Sequence, residues 1–167
     1  MPDYKRFLKR PTAPSRQSIE KTALAIRGNL AEMKIIVTRI SAEKKLPPGA
    51  DKYRLLYLGS CFYDFYLLTE DCLLHIARTI DKWVPGSLDW HQRLVKLMQC
   101  HLEDKRPPVL SAETASLLDD YLCLFLNFHH QCSTLSSSRI EKMTANIRPL
   151  YARLEKELAF ITKYPFG

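Results

Sequence analysis

One stretch constrains the fold more than any other. Between Asp51 and Ile80, apolar side chains such as Leu58, Phe62, Phe65, Tyr66, Leu73 and Ile76 recur at helical spacing. Others, Leu55, Tyr63 and Leu68 among them, cover most of the remaining circumference. A helix that is apolar nearly all round has to be buried by neighbours. The rest of the chain must therefore supply helices that wrap it. Three acids break the apolar surface, Asp64, Glu70 and Asp71. Asp71 and His75 stand four apart and are expected to pair, while Glu70 is expected to find a partner or face a site.

The wrapping helices are legible. From Ser15 to about Lys44, the residues Ile19, Ala23, Ile26, Leu30, Met33, Val37 and Ile40 alternate four and three apart, as in antiparallel bundle packing. Pro47-Pro48-Gly49 predicts the turn that ends this helix. A loop around Pro85-Gly86 precedes a short helix, about Trp90 to His101, with Asp89 as its expected cap. Ser111 opens a long helix reaching about Leu135, with Leu118, Tyr121, Leu122 and Phe125 on its apolar stripe. A Ser138–Glu141 capping box is expected to open the last helix, whose stripe runs from Ile140 through Met143, Ile147, Leu150 and Leu154 to Leu158. Pro149 removes one backbone donor there and predicts a kink near Asn146. No strand pattern or repeat occurs. The predicted fold is all-α, an up-and-down bundle of four to five helices with a kinked C-terminal helix. Residues 1–14, with three prolines and four cations, read as a basic arm. Residues 15–167 read as a single domain.

Charge and cysteine usage narrow the functional classes. The 25 Lys and Arg outnumber the 18 Asp and Glu, a net charge of +7 that suits an anionic partner. The first residues are basic without a following apolar run, so no signal peptide is expected. No run of apolar residues is long enough for a membrane span. The five cysteines form no C-x-x-C pair, so neither a zinc site nor any other metal site is expected. Reduced thiols and a cytoplasmic location fit this pattern best.

Candidate chemistry concentrates late in the Ser111 helix, at Asn127, His129 and His130. His129 falls on the apolar stripe and His130 on the polar stripe with Asp119. A histidine is the side chain that moves protons near neutral pH. Leu124 and Leu126, flanking the polar stripe, suggest an exposed apolar patch and hence an interface. Leu118, Phe62, Phe65 and Phe125 are expected in the core.

Three patches carry a resemblance to a known family. They are Tyr66-x3-Glu70-x5-Ile76-Ala77, Val84-Pro85-x3-Asp89-Trp90-His91-x2-Leu94, and Arg106-Pro107-x-Val109-Leu110-Ser111-x-Glu113-Thr114 continuing to Tyr121. Over about Asp51 to Phe160 the chain resembles the HepT-like branch of the HEPN family, all-α ribonuclease toxins paired with a minimal nucleotidyltransferase antitoxin. The family motif is Arg-x4-His-x-Tyr. Laid on this chain, its histidine is His130, its arginine position holds Phe125 and its tyrosine position holds Cys132. Glu70 matches an acidic position of the second helix.

The resemblance implies metal-independent RNA cleavage with no cofactor, which needs a proton carrier and a fixed cation beside the scissile phosphate. Phe125 carries no charge, and Cys132 lacks the hydroxyl that the antitoxin modifies with AMP. The implied function is thus a toxin–antitoxin protein with a degenerate ribonuclease site that acts by binding protein or RNA. Two alternatives stand beside it. One is an active endoribonuclease in which His130, His129 and Asn127 work with an arginine from a second subunit. The other is a basic helical adaptor for nucleic acid. The expected partners are a second copy of the chain, a nucleotidyltransferase-type antitoxin and RNA.

Overall fold

The computed structural model describes residues 13–43, 52–103, 105–131 and 136–163, with the backbone alone for 129–131 and 162–163. The expected turn at Pro47-Pro48-Gly49 and nearly all of the basic arm lie outside the described residues. Helix α1 spans Arg16–Ala42 and α2 spans Lys52–Ile76, continuing into a π-helical turn over Ala77–Asp81. The short α3 spans Trp90–Met98, α4 spans Ala112–Gln131, and α5 spans Ser137–Leu158 before a 3₁₀ turn at Ala159–Lys163. Among the described residues the fold is all-α with five helices, as expected.

Cross-helix contacts fix the directions. Thr22 meets Thr79, Asn29 meets Asp71 and Arg54 meets Glu43, so α1 and α2 run antiparallel. Ser111 reaches Glu157 and Tyr121 reaches Met143, so α4 and α5 run antiparallel. Arg148 meets Ser41 and Tyr151 meets Leu30, which closes the four-helix cycle. Helix α2 packs on α1, α3, α4 and α5. It is the central element that its apolar circumference demands. Phe62, Phe65 and Leu118 are fully buried. Phe125 is only half-buried, because it sits at the edge of the core under a group of aromatic rings. Among the described residues no helix is long and apolar enough to cross a membrane.

Several expectations about helix ends need correction. The Ser15 and Ser111 caps form, their hydroxyls accepting from Ser18 and Thr114 N–H at 3.2 Å each. The α5 cap is Ser136 rather than Ser138, since the Ser136 hydroxyl accepts the Arg139 N–H. Asp89 stands at the α3 N-cap, but its carboxylate binds the Ser87 hydroxyl and the Arg93 guanidinium instead of a backbone N–H. Helix α3 ends at Met98 and not at His101, because Leu102 and Arg106 exchange backbone hydrogen bonds that turn the chain. Helix α5 passes through Pro149 without ending.

The π-helical turn places Asp81 inward. There it meets Arg106 in a bidentate pair, both N–H···O distances being 2.7 Å. Arg106 also donates to the carbonyls of Leu97, Cys100 and Pro107, so all five of its N–H groups are used. This ties the end of α2 to the loop between α3 and α4. It thereby sets where α3 lies. Burial pushes the Asp81 carboxyl up, and the guanidinium pulls it back.

Candidate functional site

Phe125 marks the centre of the region that the sequence singles out. Its ring stacks on Tyr63 with centroids 4.7 Å apart, lies 5.0 Å from Tyr66 and meets His91 edge-on at 5.4 Å. Tyr63 also touches Phe128 at 5.3 Å, and Trp90 stacks on His91 at 3.8 Å. The rings Phe128, Tyr63, Phe125, His91 and Trp90 form an unbroken chain from α4 and α2 to the start of α3. Each of them is half-buried.

A polar pair sits beneath these rings. The Nδ1 of His91 lies 2.5 Å from Oε2 of Glu70. With the carboxylate accepting, Nδ1–H is the donor, and Nε2 is the other nitrogen of the ring. The Glu70 side chain is 5% exposed and that of His91 18%. Burial pushes the Glu70 carboxyl above its ordinary range, while the hydrogen bond from His91 pulls it back. Next to Glu70 the Tyr66 hydroxyl is buried without a hydrogen-bond partner among the described residues. Burial and the nearby Glu70 and Asp119 carboxylates raise its pKa.

Helices α3 and α4 enclose a cleft of about 580 Å³. Gln92 and Lys96 line it from α3, Gln99 from the residue just after that helix, and Asp119, Cys123 and Asn127 from α4. Helix α3 contains Arg93 and Lys96 and no carboxylate. Asn127 donates to the Cys123 carbonyl at 2.8 Å, which leaves its amide oxygen as an acceptor at the cleft.

The sequence-predicted residues separate in the structure. Asn127 lines the cleft, and Phe125 and Glu70 belong to the aromatic group behind it. His129 and His130 lie in the last turn of α4, their side chains outside the described residues, and Cys132 lies outside them altogether. Leu124, expected at an exposed patch, is buried at 2% exposure, because α4 packs against both α2 and α5 and hides more than one stripe. Leu126 is exposed at 39%. Asp71 and His75 do stand together, at 3.5 Å. Arg54 pairs with Glu43, and Arg139 donates to the Asp120 carbonyl. Among the described residues no cluster of His, Cys, Asp or Glu is arranged to hold a metal ion.

Sequence reasoning missed His91 and Lys96 as site residues. The signal for His91 was present in the Asp89-Trp90-His91 patch, but its Glu70 partner lies 21 residues away and only the fold joins them. A family model described as HepT-like protein matches residues 57–164. No curated protein and no solved structure matches the chain.

Proposed function

The chain belongs to the HepT-like family, and on that premise we propose that it serves a toxin–antitoxin setting by binding RNA without cutting it. One observation carries this reading. The position of the motif arginine is filled by Phe125, whose ring is held between Tyr63, Tyr66 and His91. As the 2′-oxygen of RNA attacks phosphorus, negative charge builds on the phosphoryl oxygens, and a fixed cation stabilises it. A phenyl ring supplies none. The removal of one such stabiliser typically costs ~10²–10³ in rate. His130 would then lack the partner that makes its proton transfer productive.

Binding needs less than catalysis does. The net charge of +7 and the cation-bearing α3 beside the cleft favour a polyanion. The family setting adds two protein partners to this reading, a second copy of the chain and a nucleotidyltransferase-type antitoxin. A solution mass of a single 19.4 kDa chain at micromolar concentration would count against the second copy.

A gain-of-function variant tests the proposal. Phe125→Arg combined with Cys132→Tyr restores the motif around His130. If only these groups are missing, cleavage of a single-stranded RNA should rise by ~10²–10³ over the unmodified protein. His130→Ala should remove the gain. A double variant that keeps its helical melt, binds RNA and does not cut would refute this account of the loss.

A further inference from the structure

The outer face of α1 takes no part in the bundle core. The seam from Ile19 to Ile40 points inward. On the opposite side Leu24, Gly28, Ala31 and Ile35 follow one another at spacings of four, three and four. All four are exposed, Leu24 at 66% and Ile35 at 46%. A glycine inside a helix weakens it, because it gives up more conformational freedom than any other residue and adds no side-chain contact. Where such a glycine serves its own fold, a neighbouring element crowds the missing side chain. At Gly28 a Cβ would meet nothing within 4 Å. Among the described residues, then, no neighbour requires a glycine there. What Gly28 and Ala31 provide is a shallow depression between two exposed apolar side chains, where a second helix can approach closely.

The charges beside this stripe indicate which helix fits. Glu20, Lys21, Glu32 and Lys34 are all exposed and mixed in sign. By helical rotation Glu20 and Lys34 lie on one flank of the stripe, and Lys21 and Glu32 lie on the other. Two antiparallel copies related by a two-fold axis set each flank against itself. When Leu24 of one copy sits over Gly28 and Ala31 of the other, Glu20 comes opposite Lys34 on the first flank and Lys21 opposite Glu32 on the second. In an antiparallel pair the numbers of facing residues have a constant sum, and these pairings agree on it to within one helical turn. Arg27 falls beside the axis, round the side of the helix from the stripe. Knob, depression and ion pairs are thus all supplied by the same face, which suits a copy of itself.

We propose that two copies of this chain meet through the outer faces of their α1 helices, antiparallel about a two-fold axis, with Leu24 of each seated over Gly28 and Ala31 of the other and with Glu20–Lys34 and Lys21–Glu32 pairs closing the flanks. This rests on the second copy included in the reading above and adds the face, the register and the direction of pairing. No residue of α1 lines the α3–α4 cleft, so each copy keeps that cleft.

The test uses the full chain in light scattering and sedimentation at a series of concentrations up to tens of micromolar. The unmodified chain should reach twice the 19.4 kDa of one chain and no more, because a two-fold contact closes. Gly28→Leu is the decisive variant. Its side chain meets open space within one copy and raises helix propensity, so the helical circular dichroism should hold or rise. It over-fills the depression at both two-fold-related sites and should weaken the dimer by about 30-fold or more. Leu24→Arg should also disrupt the dimer while leaving the glycine in place. Lys21→Glu should weaken the dimer several-fold, and adding Glu32→Lys should restore it, because the two positions face each other across the axis. A dimer indifferent to both Gly28→Leu and Leu24→Arg overturns the α1 face and leaves the second copy standing on another face. A loss in Lys21→Glu that Glu32→Lys does not restore overturns the antiparallel register. Mass that climbs past two chains overturns the closed contact. A single chain at every concentration overturns the face and the second copy together, and leaves RNA binding to its own test.

Discussion

Replacing Arg106 with Met should be among the most destabilising single changes in this chain. The Arg106 side chain is 0% exposed and that of Asp81 is 2%. Methionine has similar length and fills much of the same space, so the main loss is electrostatic. The change leaves the Asp81 carboxylate buried without its counter-charge, and it strips donors from the carbonyls of Leu97, Cys100 and Pro107. Breaking a buried pair by removing one partner typically costs ~3–5 kcal/mol. In a chain of this size that corresponds to a melting point lower by roughly 6–20 °C. Urea denaturation followed by circular dichroism reads the change directly. The double change Asp81→Leu with Arg106→Met removes both charges, so its cost should be well below the sum of the two single costs. The reasoning fails if Arg106→Met costs less than ~1 kcal/mol, or if the two single costs simply add. The pair also sets the position of α3, so Arg106→Met should weaken RNA binding before it unfolds the chain.

Two further expectations follow from the same geometry. The folded Glu70 carboxyl is raised above its unfolded value, chiefly by burial. Its contribution to stability is therefore full below the unfolded value near pH 4.3 and is lost as pH rises through the folded value. Glu70→Gln removes that decline, so the stability of the variant relative to the unmodified chain should improve as pH rises across this window; urea midpoints at a series of pH values check the sign, and a trend in the other direction contradicts it. At the start of α5, Ser136→Ala should cost ~0.5–2 kcal/mol and Ser138→Ala less than ~0.5, and equal costs would contradict the cap.

The fold was largely legible in the sequence because it rests on local periodicity. The apolar circumference of α2 identified the central helix. The seam from Ile19 to Ile40 identified its antiparallel neighbour, and Ser15 and Ser111 marked helix starts through contacts only three residues long. Leu124 was misjudged because one stripe was assigned to α4, whereas the helix is covered on two sides. The α5 cap slipped by two residues because three consecutive serines offer equivalent hydroxyls. The site was less legible. Glu70 with His91 and Asp81 with Arg106 are joined across 21 and 25 residues, and no spacing rule reaches that far. Phe125 could be identified as a missing cation only through the family motif. Its aromatic surroundings come from α2 and α3 and emerge only once those helices are packed.

Loss of cutting with retention of binding is the central claim. The most direct measurement incubates the purified, unmodified protein with a labelled single-stranded RNA and reads cleavage and complex formation in the same samples. The account predicts a salt-sensitive complex and intact RNA, with His130→Ala indistinguishable from the unmodified chain. Efficient cleavage that His130→Ala abolishes would contradict it, because a group other than the residue at position 125 would then be stabilising the transition state.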